Sequence, residues 1–174
     1  MRPDGSGLGL RAVGFDPGLA ETGFAAVEGG RGSLAVLGTG VLRTSAGDPL
    51  EVRLEQLYDG IQGVLQVYAP DLIVIEEVFS ASAVPRTAIL MGHARAMICL
   101  AGRQRKLGLV SVSPAEVKRA VTASGAAAKA QVARAMQALL GLPALPRPSH
   151  VADALALAFT GLSRAGRVGP LTLR

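Results

Sequence analysis

Acidic side chains follow two predicted strands of this chain at the points where those strands end. Asp16 follows the apolar segment 10–15, and the pair Glu76 and Glu77 follows the aliphatic run 72–75. A carboxylate at a strand end lies at the edge of an α/β sheet where ligands bind, and an unpaired charge beside a buried strand needs a cation, a partner or solvent. Neighbouring side chains of a strand point to opposite faces. Only one of the two glutamates can therefore share a site with Asp16, and periodicity does not choose between them.

His150 and Asp153 lie near the start of a predicted helix, and their spacing of three residues places them on one helix face. Simpler interpretations exist, because an acid in a first turn favours the helix dipole and Asp-Pro-Gly at 16–18 is also an ordinary turn. Together with Asp16 and one of the glutamates, however, this pair would form a mostly oxygen-donor cluster. Such a cluster suits Mg²⁺ or Mn²⁺ better than zinc. Phosphodiester hydrolysis would need one cation to activate water and another to stabilise the departing oxygen.

The hydrophobic pattern predicts the elements that would have to position these residues. Three antiparallel strands come first, then a helix, a buried strand, a second helix and a last short strand; we expect them at 10–15, 22–27, 33–42, 48–68, 72–77, 82–104 and 107–111. Asp48 is expected to cap the first helix and Ser113 to begin a capping box, with further helices near 127–140 and 149–162. This βββαβαβ order indicates an α/β protein with a mixed five-stranded sheet flanked by helices, as in the ribonuclease-H-like fold.

Composition limits the class of protein. The 174 residues suit one domain, and 18 Lys and Arg against 13 Asp and Glu give a net charge of +5, which favours a polyanionic partner. The single cysteine, Cys99, can form no internal disulfide. Because no apolar stretch approaches membrane-spanning length, we expect a soluble, cytoplasmic protein with no membrane partner.

Three segments resemble the motifs of the RuvC family of Holliday-junction resolvases. They are Gly-Phe-Asp-Pro-Gly at 14–18 with Thr-Gly at 22–23, Ile-Glu-Glu-Val-Phe at 75–79, and Ala-Asp-Ala-Leu-Ala at 152–156. The resemblance extends from about residue 11 to 163. It implies a homodimer that makes paired incisions in opposed strands of a four-way DNA junction, with Mg²⁺ or Mn²⁺ as cofactor and two ions per site. A branch-migration motor of the RuvA and RuvB type would be a partner.

The resemblance also assigns the site residues. It implies a metal site of Asp16, Glu76 rather than Glu77, His150 and Asp153, with Lys118 as a further catalytic residue near the scissile phosphate. Many relatives have Asp where this chain has His150, and an imidazole nitrogen should tolerate Mn²⁺ well. The metal preference therefore stays open.

DNA contacts are expected from four further residues. Phe79 matches a residue that stacks on bases or wedges them apart, and it is the one aromatic that follows a predicted strand end. Lys129 matches a lysine near the scissile phosphate, whereas Arg86 and Arg95 are expected to contact the DNA backbone. The nuclease domain would span 10–163, between a flexible N-terminus at 1–9 and a basic tail at 164–174.

Three other functions are compatible with parts of the same sequence. An ATP-handling enzyme of the actin and sugar-kinase type also has an Asp-x-Gly turn after a strand, but it needs a second domain and a longer chain. A nuclease with the same fold could act on RNA or RNA–DNA hybrids, and Phe79 argues against it. The last alternative is a non-catalytic junction-binding relative, which would not need all four candidate ligands.

Overall fold

Five strands form one mixed sheet in the computed structural model, which describes residues 9–30, 33–77 and 85–167. The strands are β1 (Leu10–Asp16), β2 (Glu21–Gly30), β3 (Ser33–Arg43), β4 (Leu72–Glu76) and β5 (Gly108–Val112). Their order in the sheet is β3-β2-β1-β4-β5. The first three are antiparallel, whereas β1, β4 and β5 run parallel. The prediction of a mixed five-stranded sheet is confirmed.

Helices cover both faces of the sheet. They are α1 (Leu50–Tyr68), α2 (Pro85–Gln104), α3 (Pro114–Thr122), α4 (Lys129–Leu139) and α5 (Ser149–Arg164). Side chains of β1 alternate between two cores: Val13 packs with α1 and α2, and Ala12 packs with α3, α4 and α5. This alternation is the two-residue period of a strand buried on both faces.

Helix α5 lies unusually close to the central strand. Nearly all of its residues from Val151 to Leu162 are buried. A Cβ atom added to Gly14 of β1 would lie 2.1 Å from the carbonyl oxygen of Ala154, so only glycine permits this approach. Gly14 therefore fixes the position of α5 directly over the strand that ends at Asp16.

The predicted caps had different outcomes. Ser113 caps α3 as expected, because its Oγ accepts a hydrogen bond from the backbone N–H of Glu116 (3.3 Å). The prediction for Asp48 was wrong: Pro49 occupies the N-cap position of α1, and no side chain caps that helix. Asp48 therefore precedes the N-cap by one residue, and its carboxylate accepts a hydrogen bond from the side chain of Gln56 instead (3.1 Å).

The ends of the chain bear on two further expectations. The predicted flexible N-terminus and basic tail lie outside the described residues except for Gly9 and residues 164–167. Within the described ranges, no helix is both long enough and apolar enough to cross a membrane.

Candidate active site

Asp16 and Glu76 end two neighbouring parallel strands. Phe15 of β1 lies opposite Ile75 of β4, and both side chains are buried in the core beneath α1 and α2. The next residue of each strand points to the other face, so Asp16 and Glu76 both point towards α5. Glu77 lies beyond the end of β4 and is exposed. The structure therefore brings Glu76, and not Glu77, to the side of the sheet that Asp16 faces.

The first turn of α5 brings His150 to Asp16. Gly23 pairs with Asp16 across β1 and β2, and a Cβ added to Gly23 would lie 2.3 Å from the carbonyl oxygen of His150. This close approach places Nδ1 of His150 2.7 Å from Oδ2 of Asp16. A separation this short is that of a strong hydrogen bond, so one of the two atoms donates a proton to the other.

The charges of the cluster are only partly compensated. Burial is the main cause that raises the pKa of Asp16, whose side chain is 15% exposed, and the nearby Asp153 raises it further against the lowering effect of His150. Burial also raises the pKa of Glu76, as do the charges of Asp16 and Asp153. Three carboxylates thus lie in one region, and burial together with the neighbouring negative charge makes ionisation of Asp16 and Glu76 less favourable.

Two lysines supply positive charge from the helices beside the site. Nζ of Lys129 lies 2.9 Å from Oδ2 of Asp153, and this hydrogen bond is the main cause that raises the pKa of Lys129. Lys118 of α3 is close enough to lower the pKa of Glu76. Both lysines expected near the scissile phosphate therefore lie around the carboxylate cluster.

The carboxylates and the imidazole of this cluster suit a hard divalent cation, although three of the four side chains contact protein partners in the structure. Within residues 9–30, 33–77 and 85–167, no three acidic, His or Cys side chains are arranged as a ready metal cage. Asp16 instead pairs with His150, and Asp153 pairs with Lys129. A divalent cation would offset the repulsion that raises the carboxyl pKa values, and carboxylate oxygens are the ligands that Mg²⁺ and Mn²⁺ prefer.

Arg95 contacts the protein rather than projecting into solvent. Its guanidinium donates to the main-chain carbonyl of Glu76 and to Oγ of Ser111, each at 2.7 Å. It thereby joins the ends of β4 and β5 beneath the site. Sequence reasoning missed this role, although an arginine among the apolar residues of α2 was a possible signal.

An open cleft adjoins the cluster on the side of Asp153 and Lys129. Its volume is about 600 Å³, and its wall is mainly apolar. Arg147 contributes a further cation to the lining, next to the prolines that precede α5. A negatively charged chain with apolar parts would match this surface.

Comparison with known proteins identifies the family. The sequence profile described as "Crossover junction endodeoxyribonuclease RuvC" matches residues 12–161. The chain belongs to the RuvC family. A RuvC from Thermomicrobium roseum is 40% identical over 165 residues, which cover 94% of this chain and 100% of that protein. The family comprises nucleases that depend on metal ions.

Two solved structures of Thermus thermophilus RuvC have the same fold. The chain matches the first with a TM-score of 0.82 and 32% identity, over 93% of this chain and all of the other. The second, which is in complex with Holliday junction substrate, gives a TM-score of 0.84 and 32% identity, over 93% and 99%. The prediction of a ribonuclease-H-like fold is confirmed.

All four expected DNA contacts of this chain stay predictions, including that of Lys129, whose contact in the structure is with Asp153. Phe79 lies outside the described residues. Arg86 is exposed at the start of α2, where a phosphate could reach it. Arg95 has its guanidinium bound within the protein, as described above, so a DNA contact would require it to leave these partners. A residue that the motifs did not indicate, Glu21, lies 3.6 Å from the ring of His150.

Proposed function

We propose that this chain resolves four-way DNA junctions by symmetric paired incisions of opposed strands, in homologous recombination and DNA repair. The observation that supports this most strongly is the convergence of Asp16, Glu76, Asp153 and His150 where β1, β4 and α5 meet. The residues of the predicted metal site come from three separate elements, so their meeting is a property of the fold. Membership of the RuvC family, together with a basic net charge, favours junction DNA as the substrate.

The four residues of this cluster would hold Mg²⁺ or Mn²⁺, with two ions per site. Bound metal would activate water and stabilise the departing oxygen. The residues themselves have simpler tasks. Asp16 and Glu76 supply ligand oxygens from rigid strand ends, and α5 adds Asp153 and the imidazole of His150.

The lysines would act on the phosphate. The side chain of Lys129 is 80% exposed, so its ammonium can reach a phosphate oxygen while remaining near Asp153. Lys118 is also near the cluster, since its charge lowers the pKa of Glu76. Two cations beside the site would hold a phosphate over the carboxylates and stabilise the charge that develops on it during cleavage.

Symmetric incision requires twofold symmetry, which a C2 homodimer provides. We therefore include a homodimer in the proposal. Helix α2 is the candidate interface, because Ile89 (59% exposed) and Leu100 (46% exposed) lie on the same face of the helix, about three turns apart, and apolar side chains that form one exposed patch can mark an interface. Cooperation with a branch-migration motor of the RuvA and RuvB type also belongs to the proposal, as do the domain limits of 10–163.

Cleavage assays on matched substrates test the function. A synthetic four-way junction, an RNA–DNA hybrid and a linear duplex of the same sequence are each incubated with Mg²⁺, Mn²⁺ or a chelator. We expect paired cuts in the junction with either metal and no cuts with the chelator. Cleavage of the hybrid in preference to the junction would instead support a ribonuclease. Junction binding without cleavage under all metal conditions would support a non-catalytic relative.

A further inference from the structure

Glu21 contacts the side of His150 that faces away from Asp16. It is the first residue of β2, and its Oε2 lies 3.6 Å from Nε2 of the imidazole, while Nδ1 of the same ring contacts Asp16 at 2.7 Å. The two ring nitrogens of His150 thus each face a different carboxylate. Glu21 has no part in the motifs that identify the family, and it is not one of the predicted metal ligands.

The position of Glu21 is fixed by its neighbours. Arg43 lies directly opposite it in the antiparallel pairing of β2 and β3, and Nε of Arg43 donates to Oε1 of Glu21 (3.0 Å). The loop before β2 is held as well, because the buried hydroxyl of Thr22 donates to the carbonyl of Gly18 (2.7 Å). One oxygen of Glu21 is therefore used by Arg43, and the other is directed at His150.

A histidine that binds a metal through one ring nitrogen usually donates its other N–H to a carboxylate or a carbonyl. This second contact sets the tautomer and the orientation of the ring. Glu21 is placed to make it. The separation of 3.6 Å is slightly longer than a hydrogen bond, and a small rotation of either side chain would close it.

We propose that Glu21, oriented by Arg43, is a positioning residue that accepts the Nε2–H of His150 and keeps Nδ1 available as a metal ligand beside Asp16. The proposal rests on the proposed metal-dependent function. In this proposal, residues of the antiparallel strands β2 and β3 support the metal ligands without binding the metal themselves. The imidazole is thus positioned by β3 and β2, through Arg43 and Glu21, as well as by α5.

The test measures metal binding and ring tautomer directly, on the full chain. Mn²⁺ affinity is measured by electron paramagnetic resonance for the wild type and for Glu21→Gln and Arg43→Gln. We expect Glu21→Gln to weaken Mn²⁺ binding about tenfold, at the lower end of the effect of losing an outer partner of a metal ligand, and Arg43→Gln to weaken it less. Glu28→Gln is the matched control, because Glu28 also lies on β2 and pairs with an arginine, Arg11, away from the site. It should bind Mn²⁺ like the wild type.

A second measurement separates positioning from simple loss of negative charge. In a His150→Asp background the ring is absent, so Glu21→Gln should change Mn²⁺ affinity less than twofold if Glu21 acts through His150. An equal loss in both backgrounds would overturn the proposal, because Glu21 would then act only through its charge. Nitrogen-15 shifts of the imidazole in the protein loaded with diamagnetic Mg²⁺ should show the Nε2–H form in the wild type and a changed tautomer balance in Glu21→Gln. Identical spectra would also overturn it.

The outcome for Glu21 can be distinguished from failure of the proposed function. If wild-type protein binds Mn²⁺ but does not cut junctions, the proposed nuclease function is wrong. The tautomer and affinity measurements still test the positioning role of Glu21 in that case. If the wild type cuts junctions and Glu21→Gln matches it in Mn²⁺ affinity, only the positioning role fails. Melting temperatures within about 2 °C of the wild type, as for typical surface substitutions, would show that the variants are folded.

Discussion

Asp16 and Glu76 end adjacent parallel strands, yet the protein holds them in different ways. The carboxylate of Asp16 is held directly, because His150 contacts its Oδ2 at 2.7 Å. Glu76 is held through its main chain, since Arg95 binds its carbonyl oxygen at 2.7 Å. Within the described part of the chain, no ion pair or hydrogen bond engages the carboxylate of Glu76. Among the described residues, one acidic side chain thus has a side-chain partner, whereas the contact seen for the other is made by its backbone.

This difference suggests separate duties for the two sides of the site. Asp16 and His150 form a unit whose geometry depends on the close packing of α5 against Gly14 and Gly23. For Glu76 the contacts among the described residues set the position of the backbone, and we infer that its carboxylate is the more adjustable of the two. A rigid ligand pair beside an adjustable carboxylate can bind an ion firmly and still adapt to a phosphate. The predictions below test whether the two sides behave differently.

The largest effect is expected for Asp16→Asn. Loss of a charged ligand from the rigid side should remove several kcal/mol of metal-dependent stabilisation, which corresponds to at least about a thousandfold lower cleavage rate. Single-turnover cleavage of a synthetic junction measures this. Junction affinity, measured by gel shift with a chelator present, should stay within about twofold of the wild type because the basic surface is unchanged. If the variant still cuts at a tenth of the wild-type rate, Asp16 is not a metal ligand.

Glu76→Gln tests the adjustable side and should have a somewhat smaller effect. We expect a loss of about a hundredfold in cleavage rate, because the remaining ligands still hold an ion but one oxygen donor is weaker. Glu77→Gln is the matched control, since its side chain is the next along the chain and is exposed. It should cut within about twofold of the wild type. Equal losses for the two variants would show that Glu76 has no special role.

Much of this arrangement follows from sequence alone. Alternation and aliphatic runs indicate the strands, and the three-residue spacing of His150 and Asp153 places both on one face of α5. The alternation of side chains along a strand also explains why Glu76 and Glu77 point in different directions. These features depend on local periodicity, which a single sequence displays. Periodicity does not choose between the two glutamates, whereas the family resemblance and the burial of Ile75 beneath α1 and α2 both favour Glu76.

The partners of the site could not be predicted, because they depend on register and on backbone atoms. Counted back from the hairpin pair Gly30 and Ser33, Glu21 would lie opposite Leu42. An irregularity in the pairing between Ala26 and Val27 shifts the register by one residue, and Glu21 lies opposite Arg43 instead. The contact of Arg95 with the Glu76 carbonyl is equally unpredictable from sequence, because every residue has a backbone carbonyl and no sequence pattern distinguishes this one.

Arg95→Ala should separate backbone support from DNA contact. Loss of two charge-assisted hydrogen bonds should lower the free energy of unfolding by about 2 kcal/mol and the melting temperature by about 4–8 °C. Displacement of the Glu76 backbone should reduce cleavage about tenfold. Differential scanning calorimetry and single-turnover cleavage measure the two effects.

Arg86→Ala is the control for Arg95, because Arg86 lies on the same helix with an exposed side chain. Its stability should stay within about 0.5 kcal/mol of the wild type. If Arg86 contacts a phosphate, its loss should weaken junction binding and reduce the slope of log affinity against log salt by about one. A stable Arg95→Ala variant with weakened, less salt-dependent DNA binding would favour the DNA contact for Arg95 and contradict backbone support.

The smallest effects concern the stability of the metal-free protein. Burial raises the pKa of both Asp16 and Glu76 in the folded state, so in the interval above the ordinary carboxyl values the folded protein binds more protons than the unfolded chain. Stability should therefore fall as pH rises through that interval, and the full penalty should be present once the pH exceeds the raised carboxyl pKa values. With a chelator at pH 7, Glu76→Gln should melt above the wild type. The gain should shrink towards zero as the pH is lowered below the ordinary carboxyl pKa, where the acid is neutral in both states.

Asp16→Asn should give a smaller gain than Glu76→Gln in the same melting experiment. It removes a buried charge, but it also weakens the contact with His150, whereas the Glu76 carboxylate has no such partner among the described residues. Added Mn²⁺ should raise the melting temperature of the wild type more than that of either variant, because a cation bound to the folded state stabilises it in proportion to its affinity. If Asp16→Asn melts well below the wild type at pH 7 with the chelator, the contact with His150 outweighs the cost of burying the charge. The rigid side would then owe its geometry to a favourable ion pair rather than to the packing of α5.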